Sequence, residues 1–178
     1  AARMGNGGMV GVAPKAELIF IRALDNQGGG SLEAVNDALK YVLRMDPLPH
    51  IVNMSLGTPY PDEKMGELIK ELYARNICIV CACGNDGTPD SVNFPAAFPE
   101  CIAVAGCAKD WKIAEFSSRG DRVDIAAPAV QIYSTHGDKG YCRLSGTSFA
   151  APFVSGVVAL LLAKHAKQEK ETGNNDCK

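Results

Sequence analysis

The sequence predicts an α/β fold: a mostly parallel sheet with helices packed on both faces. Two observations carry this. Short stretches rich in Ile, Val and Cys alternate with longer stretches whose apolar residues recur every three or four positions. The short stretches are apolar on consecutive residues, as expected of strands covered on both sides. With 178 residues and 47% hydrophobic content, the chain has enough apolar material for one sizeable core.

Residues 17–24 (ELIFIRAL) read as the first strand and residues 25–30 (DNQGGG) as the turn that ends it. A helix is expected from Ser31. Its hydroxyl suits a cap, and Leu32, Val35, Leu39, Val42 and Leu43 share one face. Pro47 stops it. Residues 51–56 (IVNMSL) form a second strand, and residues 62–75 a second helix with Met65, Leu68, Ile69 and Leu72 on one side. Residues 77–83 (ICIVCAC) form a third strand. This β-α-β-α-β order requires crossover connections, which are right-handed in such sheets. Residues 102–105 and 123–126 add shorter strands, and a long helix then runs through Ser148, Val154, Val158, Leu161 and Leu162. Residues 168–178 (QEKETGNNDCK) have no apolar face and read as a polar tail behind a domain spanning residues 1–167.

Composition excludes several classes of function. Eighteen Lys and Arg against 20 Asp and Glu give a net charge of −2, with no basic block to attract nucleic acid. The longest consecutive apolar run, residues 157–163, is far short of the roughly 20 residues of a membrane span. The seven cysteines are an odd number and fall mostly in strands, so they read as free thiols and favour an intracellular setting. Cys81 and Cys83 form a C-x-C without further ligands, which argues for apolar filling rather than zinc.

In open α/β sheets, functional residues gather at the carboxyl ends of strands. Three strand ends carry residues that packing does not require: NMSLG at 53–57, CGND at 83–86 and LSGTSFAAP at 144–152. In the last, Thr147 and Ser148 open a helix where amides are unpaired and the dipole favours developing negative charge. Ala150 and Ala151 let that helix approach the sheet closely.

SGTSFAAPFVSG (145–156), IVNMSLG (51–57), CGNDG (83–87), GVAPKA (11–16) and FSSRG (116–120) resemble, in order and spacing, the motifs of the subtilisin-like serine proteases. The resemblance extends over roughly residues 2–165. It implies a three-layer subtilisin-like fold lacking the segments that bear the family's Asp and His. It also implies a serine endopeptidase acting through an acyl-enzyme on Ser148, with Asn85 as the oxyanion donor. Gly28, Gly29 and Gly30 with Ser55, Leu56 and Gly57 match the two segments between which a peptide substrate lies as an added strand. Ala82, Cys83 and Gly84 match a wall of the primary specificity pocket, Asn93 falls near its base, and Phe94-Pro95 matches a bond often cis in the family.

The family's order is Asp, His, Ser, and its His lies on a helix whose end residues 1–3 resemble. The base and its orienting acid are therefore expected upstream of Ala1, in the same parent protein or a complementing chain. His50, His136 and His165 match no motif. His165 lies 17 residues beyond Ser148 on the expected helix, about 25 Å away at about 1.5 Å of rise per residue. The family's first calcium loop corresponds to residues 4–10, where Gly5 replaces a ligand, so no metal site is assigned. The family's fold continues past the nucleophile helix where this sequence has its polar tail. One alternative is a subtilase-like remnant that binds peptides without cleaving them. An α/β-hydrolase is excluded by order, because its acid and His follow the nucleophile.

Overall fold

A computed structural model describes residues 9–137 and 140–173. Four parallel strands form the main sheet in the order β1 (Ile51–Met54), β2 (Cys78–Ala82), β3 (Cys101–Cys107), β4 (Ile125–Pro128). α1 (Leu32–Leu43) precedes β1, and α2 (Glu63–Ala74) lies on the crossover from β1 to β2. A two-stranded antiparallel ribbon, β5 (Ile132–His136) with β6 (Gly140–Leu144), leads into α3 (Thr147–Gly173). The α/β architecture is as the sequence predicts.

Alternate residues of β2 point to opposite faces, as pleating requires. Ile79 and Cys81 pack with Val35, Leu39, Met65, Ile69 and Leu72 under α1 and α2. Val80 and Ala82 pack with Val104, Ala127, Ala129, Ala150, Ala151 and Val154 under α3. The second layer is built largely of alanine, so the start of α3 lies close against the strands. That closeness fixes Ser148 relative to the strand ends.

The helix starts are set by side chains. Ser31 Oγ accepts from Ala34 N at 3.1 Å. Asp62 Oδ1 accepts from Met65 N at 2.7 Å and from Asn36 Nδ2 at 3.0 Å. The Asn36 and Met65 bonds hold the Asp62 carboxyl below its ordinary pKa. A depressed folded-state pKa adds stability above the unfolded value, and that stability is lost as pH falls through the folded one. Asp62→Ala is expected to cost about 1 kcal/mol in chemical denaturation near neutral pH. Asp62→Asn keeps an acceptor and should cost less, while flattening the acid limb of stability below the ordinary aspartate range.

Several expectations are corrected. Residues 17–24 form no strand: they have no ladder partner, and Leu18, Ile19, Phe20 and Ile21 are exposed, Phe20 at 88%. β-branched residues favour a strand only when a neighbour supplies hydrogen bonds, and β1 pairs on one side only, with β2. The segment therefore does not pair with β1. The last sheet strand lies two residues later than expected, at Ile125–Pro128. His136 closes β5, and the β5–β6 ribbon is an element that the sequence pattern does not announce. The polar residues 168–173 continue α3, so the expected boundary after residue 167 is not a structural break. Residues 1–8 and 174–178 lie outside the described residues, and with them most of the expected calcium loop and the end of the tail.

By length and composition α3 is apolar enough to cross a membrane, although its consecutive apolar run is short. Its first turns are seated on the sheet through Ala150, Ala151 and Val154, so apolar character there serves the core. The six described cysteines are free thiols. Among the described residues no group of three or more His, Cys, Asp and Glu could hold a metal.

Candidate active site

The site assembles where β1, β2 and the start of α3 meet. Past β1, the chain at Thr58 forms an antiparallel bridge with Phe94, each amide donating to the other's carbonyl at 2.8 Å. This carries Asn93 beside Gly57 and the end of β2; the Phe94-Pro95 bond is cis. Leu56, Gly57, Ala82, Gly84, Asn85, Asn93, Thr147 and Ser148 line one cavity of ≈ 130 Å³. The structure thus brings together six of the residues the sequence singled out along with Ser148 and adds Thr147.

Asn85 is oriented by its oxygen. Thr147 N donates to Asn85 Oδ1 at 2.9 Å, and Thr147 Oγ1 lies 3.1 Å from the same atom. An amide N–H requires an acceptor, so the carboxamide oxygen faces Thr147 and the Nδ2 donor faces away from it. Thr147 is fully buried, and its Oγ1 also accepts from Gly84 N at 3.3 Å. Nδ2 of Asn85 and the backbone amide of Ser148 carry no hydrogen bond within the described residues. Two unused donors border one cavity, and this arrangement can hold an oxyanion.

Ser148 is anchored through its backbone. Pro152 lies inside α3 and has no amide to give the carbonyl four residues earlier, that of Ser148. Ser55 Oγ donates to that carbonyl instead, at 2.9 Å. In return Ser148 Oγ donates to Ser55 O at 3.1 Å. Pro152 is thus accommodated at the sixth residue of the helix because a serine from the β1 strand end replaces its missing hydrogen bond.

Asn93 Nδ2 donates to Asp86 Oδ2 at 2.9 Å, and Ser118 Oγ donates to the same carboxylate oxygen at 3.0 Å. Gly84 adopts φ +108°, and a Cβ there would fall on Asn93 Nδ2 and lie 2.8 Å from Ser118 Oγ. Gly84→Ala is therefore expected to cost about 1–3 kcal/mol in thermal or chemical unfolding and to displace Asn93 from the cavity. An unchanged unfolding midpoint would contradict this packing.

Two sequence-derived assignments are placed elsewhere. Cys83, expected as a pocket wall, is fully buried on the face opposite Ala82, its thiol 3.2 Å from Ser118 O and 3.6 Å from Ser117 Oγ. Burial pushes this thiol's pKa up, with the Ser117 hydroxyl pulling the other way, so it makes a poor nucleophile near neutral pH. Gly28, Gly29 and Gly30 do not line the cavity. They belong to an exposed turn in which Asp25 Oδ1 accepts from Gln27 N at 2.8 Å and Gly29 N at 2.9 Å. Gly28 there has φ +81°.

No imidazole meets Ser148 among the described residues. His50 precedes β1, at the opposite end of that strand from Ser55. His136 ends β5, and His165 pairs with Glu169 at 3.5 Å far along α3. Sequence reasoning misses Thr147 as the holder of Asn85, although its position directly before Ser148 at a helix start is an available signal. It also misses the Asp86–Asn93–Ser118 network, whose members are dispersed in sequence and meet only through tertiary packing.

A parallel α/β sheet with a serine at a helix N-terminus and a side-chain amide fixed beside it belongs to the class of sites able to stabilise an oxyanion formed at a serine. Similarity to known proteins narrows the class. The model of the subtilase family matches residues 1–175, and this chain belongs to that family. It is 37% identical over 166 residues to the major intracellular serine protease of Bacillus subtilis (strain 168), covering 90% of this chain and 51% of that protein. It is 35% identical over 163 residues to subtilisin DY of Bacillus licheniformis, covering 89% of this chain and 58% of that protein. Among solved structures it resembles the prenylagaramide maturation protease PagA at 32% identity and a TM-score of 0.74, covering 81% of this chain and 53% of that one. The chain spans about half the length of these relatives.

Proposed function

We propose that the chain supplies the nucleophile and oxyanion hole of a serine endopeptidase whose His and Asp reside outside these 178 residues. The carrying observation is Asn85, whose oxygen is fixed by Thr147 while its amide has no partner among the described residues at the cavity that Ser148 also lines. Binding a peptide requires neither this amide nor the Ser148 hydroxyl; stabilising a tetrahedral oxyanion formed on Ser148 uses both.

In this reading Ser148 Oγ attacks the scissile carbonyl and gives its proton to a histidine on an upstream segment or a second chain, which an aspartate orients. The carbonyl oxygen becomes negative and takes hydrogen bonds from Asn85 Nδ2 and Ser148 N. The leaving amine receives the proton, and water resolves the acyl-enzyme by the reverse path. Ser55, Leu56 and Gly57 offer main-chain partners to one edge of an extended substrate, and Gly28, Gly29 and Gly30 to the other. Ala82, Gly84 and Asn93 border the pocket for the side chain preceding the cleaved bond. No metal enters the chemistry in this reading. The same upstream segment is the proposed occupant of the open side of β1.

A second reading is a peptide-binding remnant. It draws on the bond from Ser148 Oγ to Ser55 O, which occupies the hydroxyl proton in the absence of a base. Mixing the chain with a separately made segment bearing the family's Asp and His, then following an internally quenched peptide, separates the two. Hydrolysis that requires both pieces supports the protease; association of the pieces and binding of the peptide without hydrolysis supports the remnant.

A further inference from the structure

A second cavity, of ≈ 400 Å³, shares no lining residue with the one at Ser148. It is framed by the turn after β3, by β5–β6 and by α3. Trp111, Ile132, Tyr133 and Phe153 supply apolar walls, and Lys109 and Arg143 are the charged residues that line it. Trp111 is 77% exposed at φ +62° on a turn closed by bonds from Ala108 N to Lys112 O (2.9 Å) and from Trp111 N to Ala108 O (3.1 Å). A large aromatic surface that lines the cavity is thus held in water by a defined backbone rather than folded into the core.

Among the described residues neither cation has an anion. Arg143 Nη1 donates to Gln131 O at 3.0 Å, and its guanidinium stands 5.3 Å from the centre of the Tyr133 ring. Tyr133 is stacked on Tyr141 with centroids 5.2 Å apart. These contacts fix Arg143 and leave guanidinium N–H groups for a ligand. Lys109 makes no ion pair among the described residues, and the neighbouring Asp110 pairs with Lys112 at 3.3 Å. No carboxylate among the described residues lines the cavity.

We propose that this cavity binds a small aromatic carboxylate, its ring against Trp111 and Tyr133 and its carboxylate on Arg143 and Lys109. The volume falls in the range of small-molecule sites, the walls are aromatic, and the uncompensated charge is positive. The site also adjoins the nucleophile turn, since Gln131 N donates to Ser145 Oγ at 2.9 Å. The assignment does not depend on proteolysis, and its test reads binding alone.

Trp111 is the chain's single tryptophan, so intrinsic fluorescence reports on this cavity directly. Titration of the chain with 4-phenylbutanoate, followed by Trp111 emission and by calorimetry, should give saturable binding. Binding of the neutral 4-phenylbutanamide should be at least about tenfold weaker, or about 1.4 kcal/mol. Arg143→Gln with Lys109→Ala, both at exposed positions, should weaken the acid by about tenfold or more and leave the amide unchanged, and added salt should weaken only the acid. Equal binding of acid and amide, insensitivity to the double substitution, or no saturable signal in either measurement up to about 10 mM would overturn the proposal.

Discussion

Ser148→Ala is expected to abolish peptide hydrolysis by the chain completed with an Asp- and His-bearing segment, lowering kcat by about a million-fold, the magnitude that loss of the nucleophile has in subtilisin itself. The structural reason for expecting so clean a loss is that the hydroxyl's one bond within the described residues, to Ser55 O at 3.1 Å, is weak and replaceable. The backbone anchor from Ser55 Oγ to Ser148 O does not involve the Ser148 side chain and survives the substitution. Unfolding midpoints of the parent and variant should therefore coincide. A folded variant that kept more than a trace of activity would show that Ser148 is not acting as a nucleophile here, and a lowered midpoint would contradict the independence of the Ser55 anchor from the Ser148 hydroxyl.

Asn85→Ala should lower kcat by about 100- to 1,000-fold with little change in KM, or about 2.7 to 4 kcal/mol of transition-state stabilisation, the range that subtilisin's own oxyanion asparagine sets. Asn85→Asp is the sharper comparison. A carboxylate oxygen can still accept from Thr147 N, which now donates to Asn85 Oδ1 at 2.9 Å, but the donor is gone and a negative charge faces the developing oxyanion. A purely structural role for Asn85 predicts that Asp rescues what Ala loses. The oxyanion role predicts that Asp is at least as damaging, with KM nearly constant in both.

Much of this arrangement is legible from local pattern. Ser31 and Asp62 cap α1 and α2 as their side-chain chemistry dictates, and periodicity names the buried faces of both helices except at Leu32, which is 42% exposed in the first turn of α1. Ser148 and Asn85 are readable from short motifs, and the structure places both on one cavity. What fails is decided by partners. Residues 17–24 have strand composition, yet no neighbouring strand pairs with them. In the β5–β6 ribbon (IYSTH and GYCRL) apolar residues stand next to one another, as Ile132 with Tyr133 and Tyr141 with Cys142, rather than alternating with the polar ones, so its hydrogen-bonded register rather than its hydrophobic pattern defines it. Cys83 is misplaced by motif because a C-x-C in a strand must put its intervening residue on the opposite face, and here that residue, Ala82, borders the cavity. Polar residues 168–173 read as a tail because their sequence has no apolar stripe, but a helix already propagating extends through Lys, Gln and Glu.

If Ser148 is a nucleophile whose base lies outside these 178 residues, its reactivity must depend on a second piece. The most direct measurement is labelling with a fluorophosphonate, alone and after addition of a segment bearing the family's Asp and His, with the modified residue located by mass. The expected result is a single phosphonylated residue, Ser148, appearing only in the mixture. Labelling at another residue, equal labelling of Ser148 without the segment, or none in a mixture shown to associate would contradict it.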